Sequence, residues 1–212
     1  MSRSPAADLV YPRLDVVLGV RHTKADIALG QDIAARGAAA ELAGLVELLD
    51  EPRLASSAIK AIYECGYLAP QLLVPHLPCF RALLDCGNNR MVWGGMIAVS
   101  CVAKADPQAV WQHREHLELA LREGTVITQM SAVHALTAVA ATDPTKASAL
   151  QACFEEALET VDCKQMLGAA ELILPVAAAR RRLVSILLAR SNGLTTATAR
   201  MRLQRLLKKH PA

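Results

Sequence analysis

Residues that could bind a metal ion lie close together at two places in the sequence. His113 and His116 are three residues apart, with Glu115 and Glu118 beside them, a spacing that places both imidazoles on one side of a helix. The other place runs from His76 to the cysteines at positions 79 and 86. Sequence spacing fixes no third ligand at either place, so solvated side chains on an exposed helix are the simpler interpretation. We therefore expect no metal and no other cofactor.

The motifs of common catalytic sites are missing from the sequence. It contains no Gly-rich phosphate loop, no Gly-x-Ser-x-Gly and no His-Glu-x-x-His. No spacing brings together a nucleophile, a base and a group that orients the base. The sequence predicts a binding module and not an enzyme.

The composition favours packed helices. Of the 212 residues, 53% are hydrophobic but only 3% are aromatic, so Ala, Leu, Val, Ile and Met must fill the interior. No stretch approaches the ~18 apolar residues of a membrane span, and the first residues lack the pattern of a secretion signal. The six cysteines form no Cys-x-x-Cys pair, which predicts reduced core residues in a cytoplasmic protein.

Charge is distributed unevenly along the chain. Through Glu171 there are 14 basic and 20 acidic residues, and after it there are 9 basic and no acidic residues. The chain therefore carries about −6 followed by +9, the clearest electrostatic feature of the sequence.

A repeat of 37 residues runs through the middle of the chain. Pro70, Pro107 and Pro144 are spaced by this interval, and Asp106 and Asp143 precede the last two. In the same register, four columns contain only small or apolar residues. These columns are Ala58, Gly95, Ala132 and Ala169; Ile59, Met96 and Val133; Ile62, Val99, Leu136 and Ile173; and Cys65, Val102, Val139 and Val176.

Local signals predict two helices, A and B, in each repeat. An Asp-Pro pair can cap helix A, and Asn88, Thr125 and Asp162 can cap helix B. The predicted A helices cover about 38–49, 108–122 and 145–160, and the B helices about 52–67, 89–104 and 126–141. Prolines at 75 and 78 should kink or shorten the A helix of the second repeat. Thr23 and Gly37 are expected to bound an N-terminal helix, and the last helix should cover about 195–209.

The helices come in pairs, the A helices begin with Asp-Pro, and one B helix has the sequence Met91-Val-Trp-Gly-Gly-Met-Ile-Ala-Val-Ser-Cys-Val-Ala. In these features, residues of about 38–178 resemble the HEAT repeat family. The resemblance implies an all-α, right-handed α-α superhelix of about five helix pairs, an armadillo-like solenoid with its B helices on the concave side. The family's ladder of Asp and Arg is only partly present, through Arg53 and Arg90, with Ile127 in the third repeat. We expect one domain over 1–212, with degenerate helices at 1–37, regular repeats at 38–178 and a basic cap at 179–212.

The stripe half a turn from the core columns is the candidate surface for a protein or peptide partner. It mixes aromatic, apolar and cationic side chains, a composition enriched where proteins hold other proteins. The alternative is that these apolar residues are buried by neighbouring repeats and the cations only solvate a face. The stripe consists of Arg53, Lys60, Tyr63, Tyr67, Arg90, Trp93, Ile97, Lys104, Met130 and His134.

The basic C-terminal segment is a second candidate surface, which would suit nucleic acid or another anionic partner. The alternative is a polar cap, since a terminal repeat needs a polar outer face and cations complement a helix C-terminus. The residues are Arg180, Arg181, Arg182, Arg190, Arg200, Arg202, Arg205, Lys208 and Lys209.

Two further hypotheses remain open from the sequence. HEAT-like alkylpurine DNA glycosylases are solenoids of similar size, but their acidic residue has no identifiable counterpart here, since Glu64 and Asp85 lie off the stripe. A mean hydropathy of +0.26 also allows self-association through apolar surface. The leading hypothesis is a non-catalytic adaptor that binds its partner through the B helices.

Overall fold

The computed structural model describes residues 3–19 and 24–211. These residues form two compact units, Met1–Asp106 and Pro107–Ala212, each with its own helices and core. The described residues contain helices and turns but no β-strand. Within the same ranges, no helix combines the length and the apolar character needed to cross a membrane.

The first unit is a row of helices linked by short 3₁₀ turns. Its helices are α1 (Pro5–Val10), α2 (Asp15–Leu18), α3 (Lys24–Arg36), α4 (Ala39–Glu47), α5 (Ala55–Leu68), α6 (Leu77–Ala82) and α7 (Asn89–Ala105). α3 packs on α5 and α5 on α7, whereas α4 packs on α1 and α6 on α7. α5 and α7 are the B helices that the repeat predicts.

The second unit continues the alternation of A and B helices. Its helices are α8 (Pro107–Trp111), α9 (Arg114–Glu123), α10 (Val126–Ala140), α11 (Pro144–Ala149), α12 (Gln151–Thr160), α13 (Cys163–Ile173), α14 (Arg181–Ala189) and α15 (Ala197–Lys209). α10 packs on α9 and α13, and α12 packs on α14. Pairing α4 with α5, α6 with α7, α9 with α10, α12 with α13 and α14 with α15 gives the predicted number of about five helix pairs.

The A helices are less continuous than predicted. The expected helices over 108–122 and 145–160 are each broken, between α8 and α9 and between α11 and α12. The prolines of the second repeat act as expected, because Pro70–His76 is a 3₁₀ segment and only the short α6 follows it. The first complete B helix begins at Ala55, three residues later than predicted.

Three of the predicted N-caps are confirmed. The side chains of Asn88, Asp143 and Asp162 each accept a hydrogen bond from the backbone N–H two residues later, at 2.7–3.0 Å. Thr125 occupies its predicted position, but its hydroxyl lies 3.2 Å from the hydroxyl of Thr128. Gly37 follows the end of α3 with a left-handed φ of 63°. The cap predicted at Thr23 lies outside the described residues.

The repeat columns form the cores of both units. Members of all four columns are buried, and Val176, which lies beyond the end of α13, is the half-buried one. Small residues in these columns let helices approach closely. At Gly95 in α7, for example, an added Cβ would lie 2.8 Å from the Cβ of Leu83 and 2.9 Å from the backbone carbonyl oxygen of Phe80 in α6.

The cysteines are free thiols, and the expectation that all of them are core residues is wrong. Cys79 is exposed, and Cys86 and Cys163 are half-buried. Burial raises the pKa of the other three thiols, to about 11 for two of them and to about 12 for the third. These three buried cysteines are Cys65, Cys101 and Cys153.

Candidate partner-binding surfaces

The C-terminal half of α5 carries two tyrosines of the predicted stripe. Their rings lie edge to face with centroids 5.9 Å apart, but Tyr67 is 50% exposed whereas Tyr63 is 7% exposed. The expectation that Tyr63 lies on the open surface is therefore wrong. Tyr63 is buried because it lies one turn before Tyr67, where α5 packs between α3 and α7. Tyr67, near the end of the helix, projects past its neighbours.

Lys60 and Glu64 form an ion pair beside these rings. The Lys60 ammonium lies 2.5 Å from a Glu64 carboxylate oxygen and 4.7 Å from the centre of the Tyr63 ring. Burial opposes the charge on Lys60, yet the contacts with Glu64 and Tyr63 prevail and raise its pKa. Both side chains of the pair are only 15% exposed. Lys60 is therefore a charged group that already has a partner.

The stripe on α7 is partly covered. Trp93 and Ile97 are half-buried, and Lys104, in the last turn, is exposed. The indole N–H of Trp93 is buried and has no acceptor among the described residues. Such an unsatisfied donor costs about 1–3 kcal/mol.

The cations at the N-terminal ends of α5 and α7 differ in their surroundings. Arg53 precedes α5 and is exposed. Arg90 is half-buried, and its positive charge lowers the pKa of the buried Asp26 carboxyl group, against the larger effect of desolvation. Arg90 therefore lies near Asp26, a proximity that its place in the sequence did not indicate.

Asp26 belongs to a buried pair of carboxylates. It is 1% exposed and accepts a hydrogen bond of 2.9 Å from the backbone N–H of Asp15, while Asp15 accepts one of 2.9 Å from the backbone N–H of Ala25. Burial, aided by the charge of Asp15, raises the pKa of Asp26. The two side chains therefore link α2 and α3, and one oxygen of Asp15 has no hydrogen-bond partner in the described structure.

One exposed residue next to the stripe was missed by the sequence reasoning. Leu68 is 64% exposed and directly follows Tyr67 at the end of α5. Helical periodicity placed it outside the stripe. Its position could have predicted its exposure, because a large apolar residue at the end of a helix has no following turn to cover it.

The remaining stripe residues lie on α10 in the second unit. Met130 is half-buried and packs toward α13, with its terminal methyl carbon 3.7 Å from where a Cβ on Gly168 would lie. His134 is exposed, as its column in the repeat predicted.

Most arginines of the basic segment are engaged within the second unit. Arg190 donates hydrogen bonds to the carbonyl oxygens of Leu158 (2.6 Å) and Val161 (2.7 Å), at the C-terminal end of α12. Arg180 and Arg200 likewise donate to backbone carbonyls, and Arg182 and Arg202 pair with glutamates. Among the described contacts, four cations of the segment have no such partner: Arg181, Arg205, Lys208 and Lys209.

The histidine pair predicted as a possible metal site is divided by a helix break. His113 is the N-cap of α9 and His116 lies in its first turn, so the two do not share one continuous helix face. Among the described residues, no group of three or more His, Cys, Asp or Glu side chains is placed to hold a metal ion.

Comparison with known proteins identifies the fold. No protein-family model matches the chain, and no curated protein matches its sequence. The chain is similar to the crystal structure of an engineered protein from the Northeast Structural Genomics Consortium, with a TM-score of 0.64 and 14% identity over 97% of this chain and 96% of that one. It is also similar to a designed armadillo repeat protein, with a TM-score of 0.62 and 16% identity over 88% and 92% of the two chains.

A third similar structure is a designed armadillo repeat protein in complex with the peptide (KR)4. The TM-score is 0.66 and the identity is 15%, over 97% of this chain and 99% of that one. The protein therefore has the all-α fold of a HEAT- or armadillo-like repeat solenoid.

Proposed function

We propose that this protein is a non-catalytic scaffold that binds a protein or peptide partner through the B-helix surface of its first unit. The observation that carries the proposal is the exposed pair Tyr67 and Leu68 at the end of α5. Large apolar side chains next to cations favour protein partners, because they exclude water at the centre of an interface while the cations fix orientation.

The surrounding residues support this assignment. Trp93 and Ile97 on the adjacent α7 are partly exposed. In the second unit, Met130 and His134 occupy the corresponding repeat positions on α10. Repeat folds with exposed helix rows offer long surfaces of this kind.

The similar designed armadillo repeat protein bound to (KR)4 supports a peptide partner for this fold. The positive charge of that peptide is not expected in a partner of this chain. Here the exposed charges of the stripe in the first unit are those of Arg53 and Lys104, so a basic peptide would meet like charges.

The test is selection from a random peptide library displayed on phage, followed by measurement of Kd by fluorescence anisotropy. Selected peptides should bind Tyr67→Ala and Trp93→Ala about tenfold or more weakly than the wild type. Leu9→Ala is the matched control, because Leu9 is a 59% exposed apolar residue on α1, and it should leave Kd unchanged. Circular dichroism confirms that each variant is folded.

Two outcomes would overturn the proposal. One is that no peptide is enriched above an empty support. The other is that the selected peptides bind Tyr67→Ala and Trp93→Ala as tightly as they bind the wild type.

The alternative function is nucleic-acid binding by the basic C-terminal helices. Its specific support is the cluster of Arg205, Lys208 and Lys209 on α15, none of which forms a salt bridge with a described residue. If this surface binds nucleic acid, a random duplex should bind with an affinity that falls steeply with salt. The double variant Arg205→Glu, Lys208→Glu should abolish that binding and leave peptide binding intact.

A further inference from the structure

We propose that the partner is an acidic peptide segment with an apolar side chain, bound where the C-terminal ends of α5 and α7 lie side by side. This inference rests on the proposed scaffold function and specifies its partner. The site places an exposed apolar pair, Tyr67 and Leu68, near the exposed cation Lys104.

The arrangement brings these groups together across the two helices. The buried Cys101 side chain of α7 lies against Gly66 of α5, because a Cβ added at Gly66 would be 3.0 Å from the Cys101 Cβ and 3.1 Å from its Sγ. Tyr67 directly follows Gly66, and Lys104 lies one helical turn after Cys101. The aromatic ring of one helix and the ammonium of the other therefore flank the same point of the α5–α7 contact. A partner that lies across the helix ends would meet both.

The exposed charge at this point is positive, because Lys104 is exposed whereas Asp106, at the end of α7, is half-buried and already has an interaction. Lys60 is matched by Glu64, and that ion pair is largely buried. Lys104 has no acidic partner among the described residues, and neither does Arg53 at the opposite end of the pair. Lys104 lies in the last turn of α7, where a cation complements the negative end of the helix dipole, and its side chain is exposed to a partner.

Carboxylates of a partner complement this surface. A carboxylate that reaches Lys104 gains an ion pair without displacing an existing one, because Lys104 is unpaired. An apolar side chain next to the carboxylate in the peptide would cover Tyr67 and Leu68. A basic peptide would place its charge against Lys104.

The test uses three labelled peptides of equal length, each with one central Leu and flanked by Glu, by Lys and Arg, or by Ser and Gln. The acidic peptide should bind the wild type about tenfold more tightly than the neutral one, and the basic peptide should bind weakest. Lys104→Glu should weaken the acidic peptide about 3- to 10-fold and strengthen the basic one. Lys164→Glu is the charge-matched control, because Lys164 is an exposed lysine on α13 outside both candidate surfaces, and it should change each Kd by less than about twofold.

Two further measurements separate the contributions. Tyr67→Ala should weaken the acidic and neutral peptides by the same factor, because it removes only apolar contact. Raising the salt concentration should weaken the binding of the acidic peptide and leave that of the neutral peptide nearly unchanged.

The outcomes distinguish the partner class from the scaffold function. If library peptides bind through Tyr67 but the acidic peptide binds no more tightly than the neutral one, the proposal of an acidic partner is wrong. The proposed scaffold function is then still supported. If neither the library nor any of the three peptides binds, the scaffold function fails and this inference fails with it. If a DNA or RNA strand displaces the acidic peptide and its own binding depends on Lys104, the surface binds nucleic acid and the peptide assignment is overturned.

Discussion

Replacing Gly30 by alanine should strongly destabilise the first unit. Gly30 lies in α3, where a new Cβ would overlap the backbone carbonyl oxygen of Ala61 and lie 2.8 Å from the Cβ of Glu64 and 2.9 Å from the backbone N of Cys65. Two of these three atoms belong to the α5 backbone, so no rotamer change can relieve the overlap. α3 and α5 must move apart along the packed interface between them.

The magnitude follows from two opposing effects. Alanine in place of glycine favours a helix by about 1 kcal/mol. Overpacking a well-packed site costs typically about 1–3 kcal/mol, and more where backbone must move. The expected net loss in the free energy of unfolding is about 2 kcal/mol, which lowers the urea midpoint by about 1 M.

Gly168→Ala is the matched control for this substitution. Gly168 lies in the interior of α13, and the nearest atom to its new Cβ would be the Met130 methyl carbon at 3.7 Å, an ordinary contact. Only the helix preference then remains, so this variant should be more stable than the wild type by up to about 1 kcal/mol.

Urea unfolding followed by circular dichroism measures both variants, and hydrogen exchange assigns the change to helices. In Gly30→Ala, amides of α3 and α5 should lose protection while those of α13 keep it. A Gly30→Ala protein as stable as the wild type would refute the reasoning, since it would mean that α3 and α5 are not in backbone contact.

Three more predictions concern titratable and charged groups. At pH 8, a maleimide should modify Cys79 at once and the three buried cysteines only after unfolding, because burial keeps those thiols protonated; rapid modification of all the thiols in the folded protein would contradict the structure. The pKa of Asp26 is raised, so the folded state binds its proton more tightly than the unfolded state, and this contribution to stability declines as pH rises from about 4 through the folded pKa. The urea midpoint of Asp26→Asn, relative to that of the wild type, should therefore rise between pH 4 and pH 7. A difference between the two midpoints that does not change with pH would contradict this prediction. Arg190→Ala should cost about 1–3 kcal/mol in urea unfolding because it removes hydrogen bonds to two carbonyls at the end of α12, whereas Arg205→Ala should cost nothing measurable; equal effects would show that Arg190 is only a surface cation.

The sequence by itself determined the helical repeat. The 37-residue columns are buried because core positions of stacked helices must be small or apolar in every repeat. Asn88, Asp143 and Asp162 were identifiable as caps because capping depends on local geometry within two residues. The prolines near position 75 shortened their helix for an equally local reason, a missing N–H donor.

Only the tertiary structure decided which polar and aromatic residues remain available to a partner. Tyr63 and Tyr67 are indistinguishable by periodicity, yet packing between neighbouring helices buries the first and leaves the second half exposed. The arginine-rich segment looked like an uninterrupted positive surface, but the carbonyls and glutamates it bonds come from residues up to 32 positions away. Helical periodicity describes one helix at a time, and the burial of a side chain and the pairing of a charge depend on neighbours that are distant in the chain.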